Sequence, residues 1–349
     1  MLHAPAAVGG HPSGLAAAER TLGLDSTVLT VDQPPYGYAV DRVLAPPGTP
    51  TAVRELRRWR AVAEARGFDV VHFNFGSSLA PGYYGSAGRG GPYRLYSRLF
   101  EQRDLRLLRG GPVFVTFQGD DVRPSGDVEQ DGLKRRRAER FARAADGLYV
   151  LNPDLLEHVP RGEFLPYASV DPREWTPAPP ADAGALRVVH APSDRGRKGT
   201  NAVLSAVEQL RSEGVEIELE LVEGKPRAEA RKAYERADVL VDQLVVGWYG
   251  GVAVEAMALA KPVVARIDPS ALARVPARMR DELPIVHADA TTFPEVLRRL
   301  ATEGRSGLGD LGRRSREFVE HWHDPHVIAE RVAADYKRAL ARRRTGSAD

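Results

Sequence analysis

Short apolar runs bounded by turn residues alternate along the chain with longer amphipathic stretches. This alternation predicts strands and helices in a mostly parallel α/β protein. In the first half, Leu2–His3, Ser26–Val31, Val70–Asn74, Val113–Phe117 and Leu148–Leu151 read as strands. A second series follows with Leu186–Ala191, Glu216–Val222, Val239–Asp242, Pro262–Ala265 and Pro284–Val286. Between the two lies "VDPREWTPAPPADAG" (Val170–Gly184), whose four prolines exclude a helix interior and an interior strand and make it a linker. The expected architecture is two Rossmann-like domains with mostly parallel sheets facing a central cleft. Ligands of such sheets lie beyond the carboxyl ends of the strands, so the turns after the strands are the first places to look for chemistry.

Length and composition agree with this picture. A chain of 349 residues has room for about two domains with real cores. Its 49 basic and 47 acidic residues leave a net charge of +2, so no global field recruits nucleic acid, and the expected partner is a small molecule. Six lysines against 43 arginines, with abundant alanine and glycine, suggest a GC-rich bacterial source. The absence of cysteine excludes disulfides, thiolate metal sites and a cysteine nucleophile. No signal-peptide pattern and no apolar run of membrane-spanning length is present, and the expected location is the cytoplasm.

Two strand-to-helix turns carry the candidate chemistry. In "DQLVVGWYGGVAVEAMALAKPVVARI" (Asp242–Ile267), Gly247, Gly250 and Gly251 permit a sharp turn or a close approach to a ligand. The following helix, roughly Val252 to Leu259, offers free N–H groups and a positive dipole end suited to a diphosphate. Glu255, about one turn in, either serves the helix electrostatically or accepts hydrogen bonds from ribose hydroxyls. In "VVHAPSDRGRKGTNAVLSAVEQL" (Val188–Leu210), Arg195, Arg197 and Lys198 bring three cations to a similar junction. They either neutralise a pyrophosphate or form a solvated loop.

Together "RKGT" and "GWYGGVAVEAMALAKPVVA" resemble the C-terminal half of retaining GT-B glycosyltransferases of glycosyltransferase family 4, whose usual form is Lys-Gly after the first strand and E-G-F-G-x-x-x-x-E-A-M-A-x-G-x-P-V. "RADVLVDQL" and "GRRSREFVEHWHDPHVIAERVAADY" extend the resemblance, as do "VGG", "FDVVHFNFG", "VTFQGDD" and "FLPYASVD" in the first half. The resemblance implies an N-terminal acceptor-binding domain over 1–170, a nucleotide-sugar donor domain over 185–322, and a helix over 323–349 crossing back toward the N-terminal domain. It further implies transfer of a hexosyl or related sugar from a nucleoside diphosphate, UDP or GDP, to a hydroxyl acceptor with retention, without metal or other cofactor.

Carried over residue by residue, the resemblance puts Glu255 on the donor ribose and Lys198 on the diphosphate. Gly250, Gly251 and Val252 approach the phosphate and sugar, with Gly247 and Tyr249 in the same turn. Arg195 or Arg197 supplies further positive charge, and Gly9 and Gly10 form the glycine loop of the other domain. Three positions depart from the pattern. Gly247 replaces the first glutamate of E-x7-E, Ser193 stands where an arginine partners the lysine, and Gln118 stands where a histidine is usual. Gln118, grouped with Lys198 and Glu255 as catalytic, can orient a hydroxyl but cannot act as an acid or base. These departures keep open a GT-B epimerase or coupling enzyme and a non-catalytic nucleotide-sugar-binding subunit.

Other features admit simpler readings. "GDDVRPSGD" reads as a ligand-facing loop rather than a metal site, with Asp120, Asp121 and Asn74 assigned to the acceptor. His321, His323 and His326 read as packing residues. The segment Asn74–Phe100 is equally an acceptor flap or a surface excursion. The run "KRRRAERFARAAD" (Lys134–Asp146) is a helix with Phe141 and the alanines inward and a solvated basic face, with peripheral membrane contact the less favoured role.

Overall fold

A computed structural model describes residues 1–82, 91–302 and 305–345, apart from the side chain of residue 306. The segment 74–100 therefore falls partly outside the described residues. The chain divides into two compact units, Met1–Ala168 with Pro325–Asp349, and Ser169–Asp324.

The first unit contains β1 (Leu2–Ala4), α1 (His11–Thr21), β2 (Thr27–Asp32), β3 (Arg42–Ala45), α2 (Thr51–Ala65), β4 (Val71–Asn74), α3 (Gly91–Phe100), α4 (Asp104–Leu107), β5 (Val113–Phe117), α5 (Val128–Ala144), β6 (Gly147–Val150) and β7 (Glu163–Phe164). Its seven strands are all parallel, in the order β3-β2-β1-β4-β5-β6-β7. The central strands β4 and β5 are buried along their whole length, with His72, Asn74 and Thr116 buried among the apolar residues, so neither strand carries a charged, solvent-facing side. Phe73 and Phe117 meet Phe141 of α5 on one side of the sheet.

A C-terminal helix, Pro325–Thr345, completes this unit. Its Tyr336 hydroxyl lies 2.5 Å from His72 Nδ1, and its ring packs edge-on against Phe114 at 4.8 Å. Asp335 accepts from the Tyr149 hydroxyl at 2.5 Å, and Arg343 donates to Asp146 at 2.8 Å. The helix is thus bound through buried polar contacts as well as apolar area.

The second unit contains β8 (Leu186–His190), α6 (Arg195–Lys198), α7 (Thr200–Ser212), β9 (Ile217–Leu221), α8 (Arg227–Arg236), β10 (Val239–Val241), α9 (Gly251–Ala258), β11 (Val263–Ala265), α10 (Pro269–Leu272), α11 (Ala277–Glu282), β12 (Val286–His287), α12 (Phe293–Thr302) and α13 (Arg305–Trp322). Its parallel sheet runs β12-β11-β10-β8-β9. The proline-rich segment expected as a linker is fastened to this unit. Trp175 is buried, Ala178 N–H donates to Leu259 at 2.9 Å, and Ala181 N–H donates to Asp238 at 2.9 Å. Arg316 of α13 donates to the carbonyls of Pro172, Trp175 and Ala258, clamping the segment to the end of α9.

Candidate functional site

In the second sheet the order reverses between β8 and β10, the topological switch point at which open α/β sheets hold ligands. The loops leaving these two strands converge there. Lys198 Nζ lies 2.5 Å from Asp242 Oδ1, and Asp242 Oδ2 accepts from the Gly250 N–H at 2.6 Å. A Cβ on Gly250 would stand 3.4 Å from the ammonium and 3.5 Å from Asp242 Oδ2, so the turn lies in direct contact with the pair. Gly199, with φ of 76°, ends α6 and opens α7 beside Leu244. His190 beneath the junction donates from Nδ1 to the Val241 carbonyl at 2.8 Å and faces Thr200 Oγ1 at 2.9 Å through Nε2. Burial pushes its pKa down, so it acts as a neutral brace between the two strands.

Helix α9 begins at Gly251, its cap residue Gly250 offers no side-chain hydrogen bond, and Val252 is half-buried in the first turn. Glu255 is buried in the next turn with Oε1 2.6 Å from Arg227 Nε. Burial pushes this carboxyl up from its ordinary value, and the Arg227 charge offsets part of the shift. Arg227 is itself fixed by the Ser169 carbonyl at 3.0 Å and by Trp175, whose ring centroid lies 5.3 Å away.

The remaining candidates of this unit separate. Arg195 is exposed and doubly bonded to Glu223 at 2.8 and 2.6 Å, so its charge is already countered. Arg197 donates its backbone N–H to the capping Asp194 and is half-buried. The Tyr249 side chain, assigned to the donor turn, is instead directed into the core. Its ring is buried against Trp248 with centroids 4.9 Å apart, and its hydroxyl meets His323 at 3.0 Å. His321 faces Glu282 at 3.0 Å, so these two histidines serve different packing contacts. Among the described residues no group of three or more His, Cys, Asp or Glu could hold a metal ion.

In the first sheet the order reverses between β1 and β4. Gly9 and Gly10 follow β1 with φ of 60° and 73°, and Gly10 caps α1 where a Cβ would stand 2.7 Å from the Tyr38 ring. Beyond β4, Phe75 and Gly76 also have positive φ. They border a cavity of about 170 Å³ shared with Asp32, Arg54, Gln102 and Ser77. Asn74, expected on the acceptor, is buried and donates to the His72 carbonyl at 3.2 Å.

Gln118 follows β5 with its side chain mostly buried, and its carbonyl accepts from Asn152 at 2.6 Å. Asp121, also expected on the acceptor, is turned into its own loop. It is buried, it accepts from the Gln118 and Gly119 N–H groups at 3.0 and 2.7 Å, and burial pushes its pKa up to about 6 despite those bonds. Of the aspartate pair only Asp120 offers an exposed carboxylate, 3.6 Å from Arg123.

Asp242, Arg227 and Asp268, whose N–H donates to the Gly247 carbonyl at 2.9 Å, complete the second-unit site without having been singled out in the sequence. Asp242 had a usable signal, since it stands at the carboxyl end of a predicted strand. Arg227 and Asp268 are brought in only by the fold.

No family model and no curated protein sequence matches the chain. Solved structures do. A sucrose-phosphate synthase from Thermosynechococcus elongatus superposes with a TM-score of 0.65 at 17% identity, covering 98% of this chain and 99% of the other. Anabaena Alr3699/HepE, in complex with UDP-glucose, gives 0.64 at 12% identity over 97% and 98%. The catalytic domain of starch synthase IV from Arabidopsis thaliana, bound to ADP and acarbose, gives 0.59 at 12% over 98% and 99%. The two parallel sheets of seven and five strands therefore form the fold of GT-B glycosyltransferases.

Proposed function

We propose that this protein is a retaining glycosyltransferase that moves a hexosyl or related sugar from a nucleoside-diphosphate sugar, UDP or GDP, to a hydroxyl acceptor without a metal ion. The observation that carries the reading is the convergence of Lys198, the Gly250–Gly251 helix start and Glu255 beside the switch point of the second sheet.

An ammonium has three N–H donors, and Asp242 engages one of them, so Lys198 retains two for a diphosphate. Asp242 holds the ammonium at the helix start, where the α9 dipole adds its own attraction for negative charge. Arg227 holds Glu255 Oε1, leaving Oε2 to accept from the ribose hydroxyls. In the transfer, the bond from the acceptor oxygen to the anomeric carbon forms as the bond from that carbon to the diphosphate oxygen breaks. The acceptor proton passes to the departing diphosphate on the same face, so no protein nucleophile is required. The chain's contribution is charge stabilisation of the leaving group and positioning, the latter including Gln118.

Calorimetric titration of UDP, GDP, ADP and TDP into the wild type and into Glu255→Ala tests the donor site. One nucleotide is expected to bind, with the variant weaker by about 1–3 kcal/mol, the cost of losing charged hydrogen bonds. No binding by the wild type would remove the reading.

A further inference from the structure

The first unit carries a broad basic basin next to the cavity at its sheet's switch point. With a volume of about 740 Å³, it is enclosed by α3, α4, α5 and the last turns of the C-terminal helix. Arg98, Arg103, Arg106 and Arg109 line it from the α3–α4 side, and Arg140, Arg143 and Arg343 from the other, against the single acidic residue Glu101. Arg98 pairs with Glu129, Arg140 with Glu101 and Arg343 with Asp146. Arg103, Arg106, Arg109 and Arg143 are exposed and form no ion pair among the described residues. In a chain of net charge +2 this is a strongly polarised face.

Helix α3 exposes apolar side chains beside the basin, which Leu99 lines. Helix α3 turns its aromatic residues toward α2. Tyr93 donates to Glu55, Tyr96 accepts from the Trp59 indole at 2.7 Å, and Phe100 packs edge-on against Trp59 at 5.6 Å. This leaves Leu95 and Leu99, four residues apart on one side of the helix, 61% and 55% exposed. Leu107 of α4 is 52% exposed on a neighbouring, smaller cavity and is not part of the basin lining. Leucines flanked by arginines at the rim of a basin are the composition that settles in the headgroup region of an anionic bilayer, with alkyl groups below and guanidinium groups at the phosphates.

We propose that this α3–α4–α5 face docks the protein on an anionic membrane surface. Charge complementarity supplies the long-range attraction, and Leu95 and Leu99 supply apolar groups that can enter a bilayer. Among the described residues no helix is long and apolar enough to cross a membrane, so the contact is peripheral. The cavity at the first sheet's switch point shares Glu101 and Gln102 with the basin. A hydroxylated headgroup held at the bilayer would therefore lie beside that cavity. This last step rests on the acceptor reading above, and the docking itself does not.

The test is flotation of the full chain with vesicles of phosphatidylcholine alone and with about one-third phosphatidylglycerol, at about 0.1 M salt. Binding is expected only to the anionic vesicles and is expected to fall as salt is raised. Arg103→Glu with Arg106→Glu should weaken it by about tenfold or more, and Leu95→Ser with Leu99→Ser by several-fold. Circular dichroism and nucleotide titration should match the wild type in both variants, which separates failure of docking from failure of the donor reading. Absence of wild-type binding to anionic vesicles overturns the proposal. So does binding that the leucine variant leaves untouched, because it would reduce the contact to unspecific charge attraction without a docked face.

Discussion

A Cβ placed on Gly247 would lie 2.5 Å from the Cβ of Asp268. The position where the resemblance leads one to expect a glutamate is therefore closed to any side chain by the loop after β11. Asp268 N–H also donates to the Gly247 carbonyl at 2.9 Å, and the Asp268 carboxylate accepts from the Ser270 N–H and hydroxyl at 2.9 and 2.7 Å. The glycine and the aspartate form one packed unit.

Restoring the glutamate should accordingly fail. Gly247→Glu, and Gly247→Ala almost as much, is expected to lower stability by about 1–3 kcal/mol through overpacking. Neither is expected to raise nucleotide affinity. Urea unfolding checks this, and an unchanged midpoint for Gly247→Ala would show that the turn can yield.

Half-buried Lys198 pairs with buried Asp242, so removing the lysine affects both binding and folding. Lys198→Met should weaken nucleoside diphosphate binding by about 10- to 100-fold and reduce stability by up to about 3 kcal/mol, because Asp242 is left with only the Gly250 N–H. Binding of the unphosphorylated nucleoside should be unaffected. Calorimetry with the nucleoside and its diphosphate in parallel separates the two effects.

Asp238 supplies a pH dependence. Burial alone would push its carboxyl up, but hydrogen bonds from Arg187, from the Ala181 backbone and from Arg305 outweigh it and hold the pKa down to about 2. A carboxylate depressed on folding contributes stability above its unfolded value, near 4, and loses that contribution as pH falls through the folded value. Asp238→Asn should thus be less stable at neutral pH and should show a flatter loss of stability between about pH 4 and 2. Denaturant midpoints measured across that window test the sign.

Tyr336→Phe removes one hydroxyl and leaves His72 Nδ1 buried without that partner. Burial keeps this imidazole's pKa well below its ordinary value, so it cannot recover by protonating. The expected cost is about 1–3 kcal/mol, read as a shift in the unfolding midpoint.

The fold was legible where strands are fully buried and helices amphipathic. Val70–Asn74 and Val113–Phe117 were predicted almost to the residue, since burial on both faces leaves a short run free of Asp, Glu, Lys and Arg. Two strands were not anticipated. Arg42–Ala45 and Glu163–Phe164 are the edges of the first sheet, short and partly exposed, so neither carries a strong hydrophobic pattern. The site was legible where chemistry depends on local turns, as at Lys198 and Gly250. The Arg227 contact to Glu255 and the Asp268 contact to Gly247 span 28 and 21 residues of sequence, and nothing in local spacing encodes such meetings. Asp121 shows the opposite failure, because a charged residue in a glycine-rich loop looks solvent-facing until its backbone partners are known.

The helix Pro325–Thr345 gives the first unit a discontinuous covalent order. On the ribosome, residues 1–168 emerge long before the segment that supplies Tyr336 and Asp335, with the whole second unit synthesised in between. Throughout that interval His72, Phe114 and Tyr149 lack their final cover, and the nascent sheet presents a sticky apolar face. The helix that closes the first unit is therefore made only after the whole second unit, so the final packing of the first sheet waits for a segment synthesised well after its strands.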